Sequence, residues 1–96
     1  MNQEELVQKI KPILERHQIR KAYLFGSVAR GEANDKSDID MMVELGKPTG
    51  LFAFTGLSQE LEEVLDREVD LVTRDGLCKY IKDRILAEAK IIYERH

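Results

Sequence analysis

The apolar pattern of the chain predicts a small α/β domain: a mixed three-stranded sheet flanked by helices. Runs at 21–25, 38–45 and 68–73 have strand length, and either alternate or are rich in apolar and aromatic residues. Longer stretches near 2–17, 51–65 and 77–95 repeat apolar residues at helical spacing. Turn clusters divide them, with no linker, repeat or low-complexity segment. Ninety-six residues suffice for one core and are too few for two, so 1–96 is read as a single domain.

In chain order, Asn2 and Glu5 form a capping pair for a first helix whose buried face is Leu6, Val7, Ile10, Ile13 and Leu14. Pro12 lies inside this helix and is expected to kink it. His17 falls at its end, as a surface residue or C-terminal cap. Lys21–Phe25 reads as a buried strand that Gly26 ends, and Ser27–Arg30 as one short helical turn stopped by Gly31. Residues 32–37 are small and polar, a loop. Asp38–Leu45 then alternates. Ile39, Met41, Val43 and Leu45 are expected in the core, with Asp38, Asp40, Met42 and Glu44 on a solvent cleft.

The cluster Gly46-Lys47-Pro48-Thr49-Gly50 turns the chain into a helix from Leu51 to about Leu65, with Phe54, Leu57, Leu61, Val64 and Leu65 inward. Glu68–Thr73 is the third strand, with Val69, Leu71 and Thr73 alternating against Glu68, Asp70 and Val72. After the turn Arg74-Asp75-Gly76, a final helix is expected from Leu77 to about Arg95. Its stripe of Ile81, Ile85, Ala89 and Ile92, with Leu86 and Tyr93 beside it, is wide enough to serve as core or as a homo- or hetero-oligomer interface.

Composition excludes several classes. No apolar run approaches the roughly 20 residues that span a bilayer, and the N-terminus is polar and acidic rather than a signal peptide. A net charge of −3 argues against holding long nucleic acid by phosphate neutralisation. The lone Cys78 cannot form an internal disulfide, which suits a cytoplasmic protein; with no second cysteine or nearby histidine it reads as inert.

The chemistry sits in residues 25–44 and in one later strand. Asp38 and Asp40, two apart on a strand, leave the same face with Cα atoms roughly 6.6 Å apart. Carboxylates that close repel unless a cation lies between them, and such oxygen donors suit Mg²⁺ or Mn²⁺. If the second and third strands are neighbours, Asp70 joins them. Three acids could then hold two cations about 3.5–4 Å apart, a clamp for in-line phosphoryl displacement. At the other end of the stretch, Gly26 lets backbone approach a phosphate, and Ser27 adds a hydroxyl donor. Arg30, one helical turn on, contacts phosphate or pairs with Glu32 or Asp35. Ser37 orients the loop before Asp38 and completes the candidate nucleotide contacts.

Gly26-Ser27, ten residues, Asp38-x-Asp40 and a later strand aspartate resemble the motif of the DNA polymerase β-like nucleotidyltransferase superfamily. More narrowly, Phe-Gly-Ser-x-Ala-Arg-Gly-Glu followed by Ser-Asp-Ile-Asp is similar to the minimal nucleotidyltransferases paired with HEPN-domain toxins. The resemblance spans nearly the whole chain. It implies a mixed-sheet fold, Mg²⁺ on Asp38, Asp40 and Asp70, and ATP as donor. It also implies an antitoxin role through adenylylation of a HEPN toxin on a tyrosine.

Apart from that resemblance, core and strands consume nearly all of the chain. Little remains to build a pocket for an acceptor, which favours a protein that brings its own surface. The alternatives are a non-catalytic module that masks a toxin, and a transferase for a small molecule or RNA end that borrows a second subunit as platform.

Overall fold

The computed structural model describes residues 3–26 and 38–95. Its elements are α1 (Gln3–Arg16), β1 (Ile19–Phe25), β2 (Ile39–Leu45), α2 (Leu51–Leu65), β3 (Val69–Thr73), α3 (Lys79–Glu88) and β4 (Lys90–Glu94). The strands form one mixed sheet in the order β3-β2-β1-β4. Strand β1 runs antiparallel to both β2 and β4, and β2 runs parallel to β3.

Helix α1 buries Leu6, Ile10, Ile13 and Leu14 of the stripe its periodicity predicts, while Val7 is only half-buried. It is continuous through Pro12. Pro12 sits on the exposed side, so the Gln8 carbonyl it cannot bond belongs to a residue that water reaches. The helix closes with the His17 amide donating to the Ile13 carbonyl at 3.1 Å, and Gln18 takes the left-handed conformation that reverses the chain (φ 57°). His17 does more than cap. Its Nε2 lies 3.3 Å from Glu60 Oε2 on α2, and Arg16 pairs with the same carboxylate.

The core lies where α1 and α2 meet one face of the sheet. Leu6, Ile10 and Leu14 meet Leu57, Leu61 and Leu65 over Ile19, Ala22, Leu24, Ile39, Met41 and Val43. Strand β1 starts at Ile19, earlier than its composition suggests, because a register shift between Ile19 and Lys21 lets Ile19 as well as Ala22 be buried. Two assignments change. Val64 is exposed, since it falls beside the Leu57–Leu61–Leu65 stripe. Met42 is fully buried although it alternates away from the core; it faces Tyr23 across the β1–β2 ladder, and Tyr23 is buried too.

The larger correction is at the C-terminus. The expected helix to Arg95 stops at Glu88, the Ala89 amide closes it onto the Ile85 carbonyl (2.8 Å), and Lys90–Glu94 becomes a fourth strand. Ile91, Ile92 and Tyr93 are β-branched or aromatic, and β1 offers an open edge. A ladder that also packs Ile92 and Tyr93 on the core outweighs a weak helical preference. The wide helical stripe is therefore cut: Ile81 and Ile85 stay on α3, which buries no residue, and Ile92 joins the sheet. Among the described residues, no helix is long and apolar enough to cross a membrane.

Candidate active site

Alternation along β2 sends Asp40, Met42 and Glu44 to the sheet face opposite Ile39, Met41 and Val43. On that face Asp40 is in register with Phe25 on β1 and with Asp70 on β3. Adjacent strands lie roughly 4.8 Å apart, so these carboxylates leave neighbouring strands side by side. Asp38 directly precedes β2 and is exposed, as is Asp70, while Asp40 is half-buried. The Ile39 amide donates to the Glu68 carbonyl at 2.9 Å, which begins the parallel pairing beside both Asp38 and Asp70.

Gly26 belongs to the same corner. It has φ +72°, and a Cβ there would overlap Asp40 Oδ2. Asp40 thus leans over a backbone position that only glycine occupies without strain. Ser27, Arg30 and Ser37, with the expected short helical turn, lie outside the described residues.

Hard carboxylate oxygens, open to solvent and gathered on one sheet face, fit a divalent cation in type. They do not form a finished cage: among the described residues, no three His, Cys, Asp or Glu groups stand close enough to hold a metal ion. Asp40 and Asp70 are brought together by register, and Asp38 is one pleat away along β2.

Further along this face is a network that the one-dimensional pattern did not reveal. Tyr23 Oη donates to Glu44 Oε2 at 2.5 Å, and Arg74 Nη1 donates to the same oxygen at 3.2 Å. The Arg74 amide also donates to the Val43 carbonyl at 3.0 Å. Strands β1, β2 and the end of β3 are thereby tied at Glu44, four residues along β2 from Asp40. Burial, then the neighbouring Glu44 carboxylate, pushes the Tyr23 phenol up to about 12. Burial acts to raise the Glu44 carboxyl, but the Tyr23 hydrogen bond, then Arg74 and Lys21, outweigh it and hold the group below its ordinary value. Only the alternation of Glu44 with Asp40 hinted at this placement; the pairing with Tyr23 and Arg74 depends on register.

The network predicts a pH signature. The depressed Glu44 contributes stability present above its unfolded value, and this is lost as pH falls through the lower folded value. The raised Tyr23 contributes stability present below about 10 and lost as pH rises toward about 12. Tyr23→Phe should cost about 0.5–1.5 kcal/mol at neutral pH and flatten the alkaline limb. Thermal melts of both proteins from acid to alkaline pH check this, and parallel profiles would contradict it.

A family model described as "Polymerase beta, Nucleotidyltransferase" matches residues 8–96. A Methanocaldococcus jannaschii protein named as a candidate protein adenylyltransferase is 47% identical over 89 residues, covering 93% of this chain and 96% of its own. A toxin–antitoxin structure with AMP-PNP superposes with a TM-score of 0.81 at 27% identity, covering 94% of this chain and 74% of that one. A complex of the tri-AMPylated Shewanella oneidensis HEPN toxin with its MNT antitoxin gives 0.76 at 25% identity, with coverage of 97% and 73%. A family match across nearly the whole chain agrees with the aspartates on one face and with the glycine beneath Asp40, and so this chain belongs to the polymerase β nucleotidyltransferase family.

Proposed function

We propose that the chain transfers AMP from ATP to a hydroxyl, a tyrosine of a partner HEPN toxin, and so acts as an antitoxin. The observation that carries this reading is the in-register pairing of Asp40 with Asp70, on one face, beside the left-handed Gly26. Similarity to a structure with AMP-PNP and to one with an AMPylated toxin supports the donor and the acceptor.

Nucleotidyltransferases of this family generally work with divalent metal ions. Here Asp38, Asp40 and Asp70 would hold them, with Mg²⁺, two ions, as the proposed complement and Mn²⁺ as a substitute. Bound there, the metal would neutralise triphosphate charge and acidify the acceptor hydroxyl. The chain's own part is to place the reactants. Gly26 and Ser27 take the phosphates, with Arg30 and Ser37 alongside. The Asp70 carboxylate, exposed on the outer strand, accepts a hydrogen bond from the acceptor hydroxyl. As the acceptor oxygen bonds to the α-phosphorus its proton passes to the Asp70 carboxylate, the bond from the α-phosphorus to the bridging oxygen breaks, and pyrophosphate leaves.

ATP supply and the exposed, unpaired Cys78 fit a cytoplasmic setting. The test is incubation with ATP labelled at the α-phosphate, Mg²⁺ and the HEPN toxin. The expected result is label on the toxin that a chelator prevents. Toxin neutralised without acquiring label would instead favour simple masking.

A further inference from the structure

Strand β3 is an edge of the sheet, and an apolar groove of 530 Å³ wraps round it. Leu45, Leu51, Phe54, Leu71, Val72 and Leu77 line the groove. Apolar surface rimmed by polar residues is a candidate interaction site. It is continuous with the site described above: Val72 lies on the same sheet face as Asp70, two residues and roughly 6.6 Å further along β3. Four exposed large apolar side chains belong to the helix starts that follow the groove's bordering loops, while Val64 and Ile91 lie elsewhere. Leu51 and Phe52 open α2 at 79% and 95% exposure, and Tyr80 and Ile81 open α3.

The rim has a sign. The segments flanking the groove, 46–50 and 74–79, carry Lys47, Arg74 and Lys79 against Asp75 alone, in a chain of net charge −3. Arg74 is partly answered by Glu44, while Lys47 and Lys79 are exposed. The two helices that begin here add to the positive field, since α2 and α3 start with neither a side-chain cap nor an acid in the first turn.

Resting on the AMP-transfer reading, we propose that this groove docks an apolar, acid-flanked segment of the acceptor protein. The segment lies over the β3 edge and so brings the acceptor hydroxyl to the Asp40–Asp70 face. An apolar anchor gives affinity, and the basic rim selects acidic flanks. The platform for the acceptor is then the edge strand itself with the loops that border it.

The decisive variant is Leu51→Glu. An acid in the first turn of α2 favours the helix, so the melting temperature should hold or rise. Binding of fluorescently labelled HEPN toxin, followed by anisotropy, should weaken about tenfold or more. KM for the toxin should rise in step, with KM for ATP and kcat within about twofold of wild type. Lys47→Glu with Lys79→Glu should weaken docking in the same sense, by an amount that shrinks in high salt. Unchanged toxin affinity in both variants overturns the proposal, as does failure of the wild-type chain to bind toxin. Sedimentation showing that Leu51→Glu dissociates a homodimer while toxin binding is untouched would overturn it in favour of a second copy. Groove-dependent binding without AMP transfer would sink the proposed reaction and leave the docking surface standing; transfer indifferent to the groove would do the reverse.

Discussion

Asp40→Asn should lower AMP transfer by at least about a thousandfold, about 4 kcal/mol of transition-state stabilisation, while the protein melts as before. Asp40 is central in every respect that the structure shows. It stands in register with Asp70, one pleat from Asp38, and against Gly26. Asparagine keeps its volume and removes the charge, so the change reports on chemistry more than on packing. No stabilising role for Asp70 is needed, since it is exposed at the sheet edge. Asp70→Asn should therefore also abolish transfer with an unchanged or slightly raised melting temperature, because a like charge beside Asp40 is lost. Rates of label transfer and thermal melts on the same preparations decide. A wild-type rate in Asp40→Asn would remove this carboxylate from the reaction.

Gly26→Ala should damage fold and activity together. At φ +72° a side chain costs about 1–2 kcal/mol in backbone strain, and the new Cβ would overlap Asp40 Oδ2. The carboxylate must then move, and transfer should fall by about a hundredfold or more. The two effects separate in a double-mutant cycle. With Asp40→Ala in place the collision partner is gone, so Gly26→Ala should lose only the strain contribution, with a coupling of about 1 kcal/mol between the sites. Additive losses in melts of the four proteins would mean that Gly26 matters for its backbone alone.

The parts of this molecule that were legible in its sequence are those governed by short-range pattern. The stripe of Leu6, Ile10, Ile13 and Leu14 and the bounds of α2 follow from helical period. The alternation of Ile39, Met41 and Val43 against Asp40 and Glu44 fixes the faces of β2. Spacing raised the meeting of Asp40 with Asp70 only conditionally, on strands two and three being neighbours, and the parallel register meets that condition. What failed depended on distant partners. Lys90–Glu94 is compatible with a helix until β1 offers an edge. Met42 reads as exposed until Tyr23 lies across from it. The Tyr23–Glu44–Arg74 network joins three strands, and its members gain meaning only once register is set.

These features together describe a division of labour along one sheet. The start of β2 and β3 carries acids, their far end carries the Glu44 tie, and the β3 edge carries apolar surface. Distortion at the tie should be felt at the acids, because β2 holds Glu44 and Asp40 in one short strand. The four-strand sheet also accounts for α3 burying nothing: Ile92 and Tyr93, expected on a longer final helix, pack on the core from β4 instead.

The most direct test is a crystal structure of the chain with Mn²⁺ and a non-hydrolysable ATP analogue, with manganese located by anomalous scattering. The account predicts manganese at about 2.1–2.2 Å from carboxylate oxygens of Asp40 and Asp70, with Asp38 adjoining and the triphosphate lying against Gly26. Manganese bound elsewhere, or a site that leaves Asp70 without a role, would contradict it.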